Sequence, residues 1–221
     1  MKNKNFEREL PRGYKEDFHI DARDKKTAIL LSLGSFAITA VVFALLLIHF
    51  FKSGVDLSDI DPISFFLFYL IFVVSMLLYV VLHELTHGVV YKVMTGEKLT
   101  FGITPAAAFC GVPNIYTYRR CALFALLAPL VTFTVILVPI VVFLSYADLL
   151  YYIGFSLIFA MHIGGCIGDG YIAFLLFTRY KNKDVLMRDL GPEQFIYVRK
   201  KNKNSEVLYA KGKQSFTKQD Y

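Results

Sequence analysis

The stretch VVLHELTHGVVYKVM, residues 80–94, sets two histidines and a glutamate inside sequence that otherwise reads as membrane-spanning. Ionisable side chains are costly within a bilayer, and those that persist there generally serve a site. Working outward, the apolar run that contains them extends from Ile63 to Met94 and is uncharged until His83. Three further runs have the same character: Ala28 to Phe51, Cys121 to Tyr146, and Leu149 to Phe177, the last interrupted only by His162 and Asp169. Each supplies the roughly 20 helical residues that cross a hydrocarbon core of about 30 Å. The chain is 56% hydrophobic with a mean hydropathy of +0.50, more apolar surface than a soluble domain of 221 residues needs. These features predict an all-α integral membrane protein with about four transmembrane helices, forming a single membrane domain over residues 1–221. The polar segment 1–26 is too long for the charged leader of a cleaved signal peptide, so the first helix is expected to be retained.

Lys and Arg concentrate in the N-terminal tail (1–26), between the second and third helices (Lys92, Lys98, Arg119, Arg120) and in the C-terminal tail (178–221). The other two connections are poor in them; 51–62 has Lys52 against Asp56, Asp59 and Asp61. All the basic segments fall on one side if both termini are cytoplasmic, as cytoplasmic loops favour positive charge. The net charge of +6 is then explained by topology in a cell membrane and attraction to the lipid bilayer. It calls for no nucleic-acid partner. Cys110, Cys121 and Cys166 show no paired spacing and read as small apolar residues between helices.

His83, Glu84 and His87 form H-E-x-x-H. Residues i and i+4 share a helix face, so both imidazoles can reach one Zn²⁺ at about 2 Å, and Glu84 is placed to take a proton from the attacking water. A catalytic zinc takes three protein ligands and leaves its fourth position open. Asp169 is the remaining acid within the spans. Counted along their helices, His83 and Asp169 each lie about 20 residues in, or about 30 Å from the outer surface. A shared metal explains that common depth. Gly164, Gly165, Gly168 and Gly170 leave the helix bare around Asp169 and favour close packing there. His162, close to two turns before Asp169, shares its face but sits about 10 Å deeper. It fits a catalytic partner for the substrate backbone or oxyanion, or a hydrogen-bonded core histidine. His49, at the end of the first helix, reads as an interfacial residue.

Between helices two and three, Leu99 to Ile103 and Asn114 to Tyr118 are β-prone pieces separated by Gly and Pro, a hairpin-like segment beside the motif. Its edge suits an extended peptide, or it caps the helices at the membrane surface. Pro129 and Pro139 are expected to kink the third helix. In the C-terminal tail, Phe195 to Val198 and Val207 to Ala210 have strand character within a composition otherwise near the disordered range.

HELTH on one core helix and GDG on a later one resemble the site-2 protease group of intramembrane metalloproteases. The four helices, LLAP in the third and the MRDLG tail resemble a family of small bacterial membrane proteins classed as zincin peptidases. The resemblance covers roughly residues 63–177. It implies zinc ligation by His83, His87 and Asp169, Glu84 as general base, and a membrane protein or peptide substrate. An Asn-Pro found before the Asp-Gly in many members is replaced here by HIGGCIG, which puts His162 in the place of that asparagine. The sequence therefore points to a membrane-embedded zinc metalloendopeptidase. A non-catalytic membrane scaffold retaining a metal-binding motif is the alternative. A transporter is disfavoured, because there is no internal repeat.

Overall fold

The computed structural model describes residues 4–52, 61–103 and 108–200. Among these residues, five helices run as α1 (Lys25–Lys52), α2 (Pro62–Thr95), α3 (Arg119–Ala147), α4 (Leu149–Gly165) and α5 (Ile167–Phe177). Local chemistry sets their ends. The Asp61 carboxylate accepts from the N–H groups of Ile63 and Ser64, both at 3.0 Å, and Pro62 opens α2 where its missing N–H costs nothing. Gly96 ends α2 in the left-handed region, φ 72°, with its N–H on Lys92 O. Asp148 ends α3 and caps α4 through the N–H groups of Leu150 and Tyr151.

Among the described residues, α1, α2 and α3 are long and apolar enough to cross a membrane, and α4 with α5 makes a fourth span if that bent pair is taken as one. The fourth helix is not straight. It breaks at Cys166 and turns by 42°. Pro129 and Pro139, by contrast, both lie within the continuous helix α3.

α1 and α2 bury very little of their apolar surface, whereas α3 and α4 are partly buried between their neighbours. A Cβ on Gly164 would stand 2.5 Å from the Ser35 carbonyl oxygen, and this glycine lets α4 press against α1. The Tyr152 hydroxyl donates to Leu46 O of α1 at 2.8 Å. On the other side of α4, Ile158 joins Phe133 and Leu137 of α3, with Tyr79, Met76 and Phe72 of α2 packed against them.

The all-α expectation fails outside the helices. Strands β1 (Phe6–Glu7), β2 (Tyr14–Asp21), β5 (Tyr116–Tyr118), β6 (Val185–Asp189) and β7 (Glu193–Arg199) form an antiparallel sheet in the order β1-β5-β6-β7-β2. The N-terminal and C-terminal tails are therefore not separate appendages. β7 takes in Phe195–Val198, which the sequence marks as strand-like, whereas β1, β2 and β6 carry no such signal; pairing aligns Phe18, Ile20, Val185, Met187, Ile196 and Val198 against one helical surface. That surface comprises Ala122 and Leu126 of α3 and Ile172 and Leu176 of α5.

The hairpin after α2 is β3 (Thr100–Ile103) with β4 (Ala108–Gly111). The second expected piece, Asn114 to Tyr118, supplies β5 instead and pairs with β1 and β6. Val207 to Ala210 lies outside the described residues. The N-terminal segment also clasps the end of α2, with Asn5 Nδ2 donating to Met94 O at 2.8 Å and Arg8 paired with Glu97.

Candidate metal centre

Helix α2 carries His83 and His87 one turn apart, both buried. The bend at Cys166 starts α5 beside them, and Asp169 stands in its first turn. Asp169 Oδ2 lies 3.2 Å from His87 Nε2 and 3.7 Å from His83 Nε2. Two ligands held at 2.0–2.1 Å in a tetrahedral shell stand about 3.3 Å apart. Asp169 Oδ2 is therefore spaced from each imidazole about as neighbouring ligands of one small cation are, and two imidazoles with a carboxylate suit zinc. Ligand atoms of His83, Glu84 and His87 also lie within 4.8 Å of one another.

The ring orientations agree with this donor set. His87 Nδ1 is 2.8 Å from the carbonyl oxygen of Ala125. A carbonyl only accepts, so Nδ1 carries the hydrogen, and Nε2, the nitrogen left for a metal, faces Asp169. That carbonyl is available because Pro129, four residues on, has no N–H to offer it. The sequence reading assigned the proline a kink and no part in the site.

Glu84, next to His83, has the backbone of Cys110 within hydrogen-bonding reach. The hairpin thus closes over the motif. A Cβ on Gly88 would meet the Phe101 ring at 2.9 Å, Leu99 at 3.1 Å and Cys110 Sγ at 3.3 Å, so glycine here admits the hairpin to α2. Phe133 of α3 stacks along His83, with centroids 6.3 Å apart and planes at 11°.

His162 has the surroundings of a hydrogen-bonded core histidine, one of the two readings its sequence position left open. It is fully buried on the Nδ1 side of His83, whereas Asp169 is on the Nε2 side. The Tyr79 hydroxyl lies 3.0 Å from Nδ1 of both histidines. Cys166 Sγ is 3.8 Å from His162 Nδ1, and ligand atoms of His83, His162 and Cys166 fall within 4.8 Å of one another. Tyr79 already satisfies the nitrogens of that second group, so the donor set around Asp169 is the better cation site. Tyr79 escaped the sequence reading, since a tyrosine in an apolar helix reads as packing.

The glycines also differ from expectation. Gly164 makes its close approach to α1, away from the histidines, while a Cβ on Gly165, Gly168 or Gly170 would meet nothing within 4 Å. A groove of about 810 Å³ runs along α3 between Val90 and Phe177, and none of the histidines, Glu84 or Asp169 lines it.

One further acid approaches from the sheet. Asp189 is buried, and its carboxylate accepts from the Tyr91 hydroxyl at 2.7 Å and the Gly191 N–H at 2.8 Å. Burial pushes its pKa up to about 6 against these hydrogen bonds. Tyr91 is one turn beyond His87, and Asp189 O also accepts from Val112 N, just after β4. The sheet is thereby tied both to the motif helix and to the hairpin. All three cysteines are buried free thiols.

Residues 76–184 match the sequence profile of a family described as "Putative zincin peptidase". The match takes in Tyr79, His83, Glu84, His87, His162 and Asp169. No curated protein and no solved structure matches the chain. Over this central region the chain is similar to zinc metallopeptidases of the zincin type.

Proposed function

We propose that the chain is a membrane-embedded zinc metalloendopeptidase that hydrolyses peptide bonds of membrane or membrane-proximal proteins. One observation carries the reading: Asp169 Oδ2 stands 3.2 and 3.7 Å from the Nε2 atoms of the two histidines of an H-E-x-x-H helix. His83, His87 and Asp169 would hold the ion. Zinc bound there supplies a Lewis acid that polarises the scissile carbonyl and lowers the pKa of water.

The chain's own groups do the rest. Glu84 takes a proton from water as the water oxygen bonds to the carbonyl carbon. The same carboxyl delivers that proton to the amide nitrogen as the C–N bond breaks. The Cys110 backbone orients Glu84, and the two histidine donors are themselves buried, with Phe133 stacked along His83. A helical peptide bond is shielded by its own hydrogen bonds, so the substrate must be extended or unwound where it is cut. The basic segments support cytoplasmic termini, and the strands of both tails share one sheet, consistent with an even number of crossings.

The test is hydrolysis of quenched fluorogenic peptides with apolar, helix-broken segments by the detergent-purified chain. Cleavage should vanish with a chelator, return with zinc and be absent in Glu84→Gln. Cleavage that survives both chelation and Glu84→Gln would sink the reading.

A further inference from the structure

We infer that Tyr79 and His162 form a hydrogen-bond relay that fixes the tautomer and ring orientation of His83, making both of them positioning residues for the metal centre. The inference rests on the zinc reading of the site.

The Tyr79 hydroxyl has one hydrogen and two imidazole neighbours, Nδ1 of His83 and Nδ1 of His162, each at 3.0 Å. It can donate to only one of them, so the other must donate to it. The zinc reading decides which. His83 Nε2 faces Asp169 Oδ2 and would keep its lone pair for the ion, so Nδ1 carries the hydrogen and donates to the Tyr79 oxygen. Tyr79 then donates to Nδ1 of His162. The other edge of His162 accommodates this, because Thr134 Oγ1, 3.2 Å from Nε2, can accept from Nε2–H.

The two ligand histidines are thus locked by different means. A main-chain carbonyl freed by Pro129 holds His87, and a two-residue side-chain relay holds His83. Partners of this kind fix ligand orientation, and losing one typically costs about 10–100-fold in metal affinity. Tyr79 is in turn held by an edge contact to Phe133, with centroids 5.2 Å apart and planes at 82°. His162, at 0% exposure, has no route to a substrate and acts through Tyr79.

The experiment uses the full chain in detergent, with zinc affinity read by competition against a chromophoric chelator. Tyr79→Phe keeps the ring and removes the hydroxyl; its affinity should fall by about 10–100-fold. His162→Gln should weaken binding, and the double variant should bind no more weakly than Tyr79→Phe alone, because one residue works through the other. Cobalt(II) in the parent and in Cys166→Ser should give the same absorption, without a thiolate charge-transfer band. If Tyr79 serves packing alone, Tyr79→Phe will bind zinc like the parent, and the inference is overturned. Additive losses would also overturn it. A thiolate band that Cys166→Ser removes would show His83, His162 and Cys166 to be ligands instead. A parent that takes up no zinc defeats the metallopeptidase reading and this inference together, an outcome distinct from the others, which all compare zinc-binding proteins.

Discussion

The Ala125 carbonyl accepts the Nδ1–H of His87 across 2.8 Å, and it is free to do so because Pro129 cannot bond it from within α3. A residue commonly read as a helix distortion thereby creates an acceptor at the point where the motif helix needs one. Sequence, local backbone chemistry and site geometry are joined in that single contact.

Pro129→Ala tests it. An alanine at 129 restores an N–H that competes with His87 for the Ala125 carbonyl. Zinc affinity should drop by about 10-fold. The metal-free chain should be no less stable than the parent, since an interior helix position favours alanine over proline. Chelator competition and thermal melts of the stripped protein measure the two effects, which are expected to diverge.

Glu84→Gln separates binding from chemistry. The amide is isosteric and Glu84 is not needed to hold the ion, so zinc content should match the parent. Proton transfer is lost, and peptide cleavage should fall by about 10²–10⁴-fold. Equal loss of zinc and activity would make Glu84 a ligand.

Asp189 gives the fold a pH dependence of stated sign. Its native pKa of about 6 lies above the ordinary value of 3.8. Between these values the folded chain holds a proton that the unfolded chain releases. Its contribution is therefore fully present below about pH 4 and is lost as pH rises through about 6. Asp189→Asn removes this limb, and the stability difference between variant and parent should change by up to roughly 3 kcal/mol across the window. Glu7 and Asp17 are held below their usual range by hydrogen bonds from Lys4 and Tyr180 and give the opposite trend. They do so in both proteins, so the difference isolates Asp189. Denaturant unfolding between pH 4 and 7.5 provides the measurement.

The glycines of HIGGCIGDG should not respond alike. Gly164→Ala sets a methyl against the Ser35 carbonyl and the Thr39 side chain and should cost about 1–3 kcal/mol. Gly168→Ala and Gly170→Ala meet open space within α5 and should leave stability unchanged or raise it by up to about 1 kcal/mol, since alanine is favoured over glycine in a helix. Melting temperatures of the three variants check the ranking.

What the sequence made legible follows the range of the interactions. His83, Glu84 and His87 were readable because i, i+4 spacing fixes their common face without reference to the rest of the fold. Asp169 was readable from depth, although the bend at Cys166 was not foreseen. Tyr79, Ala125 and Pro129 were not readable as site residues, since their role depends on which groups face them from another helix. Of the five-stranded sheet, the pieces within β5 and β7 were legible as strand-like, but the pairing that joins them to β1, β2 and β6 was hidden for the same reason. Phe18, Met187 and Ile196 form an apolar face only once strands separated by most of the chain have paired. The glycine stripe beside Asp169 suggested close packing around the ion, whereas its tight contact is made with α1.

The most direct test of the central claim is the metal content of the detergent-purified chain, measured by elemental analysis beside Asp169→Ala and His87→Ala. The account predicts about one zinc per parent chain, in line with a single site of three protein ligands, and loss of it in both variants. A parent that takes up no zinc on reconstitution, or an Asp169→Ala variant that keeps its zinc, would contradict a His83–His87–Asp169 centre.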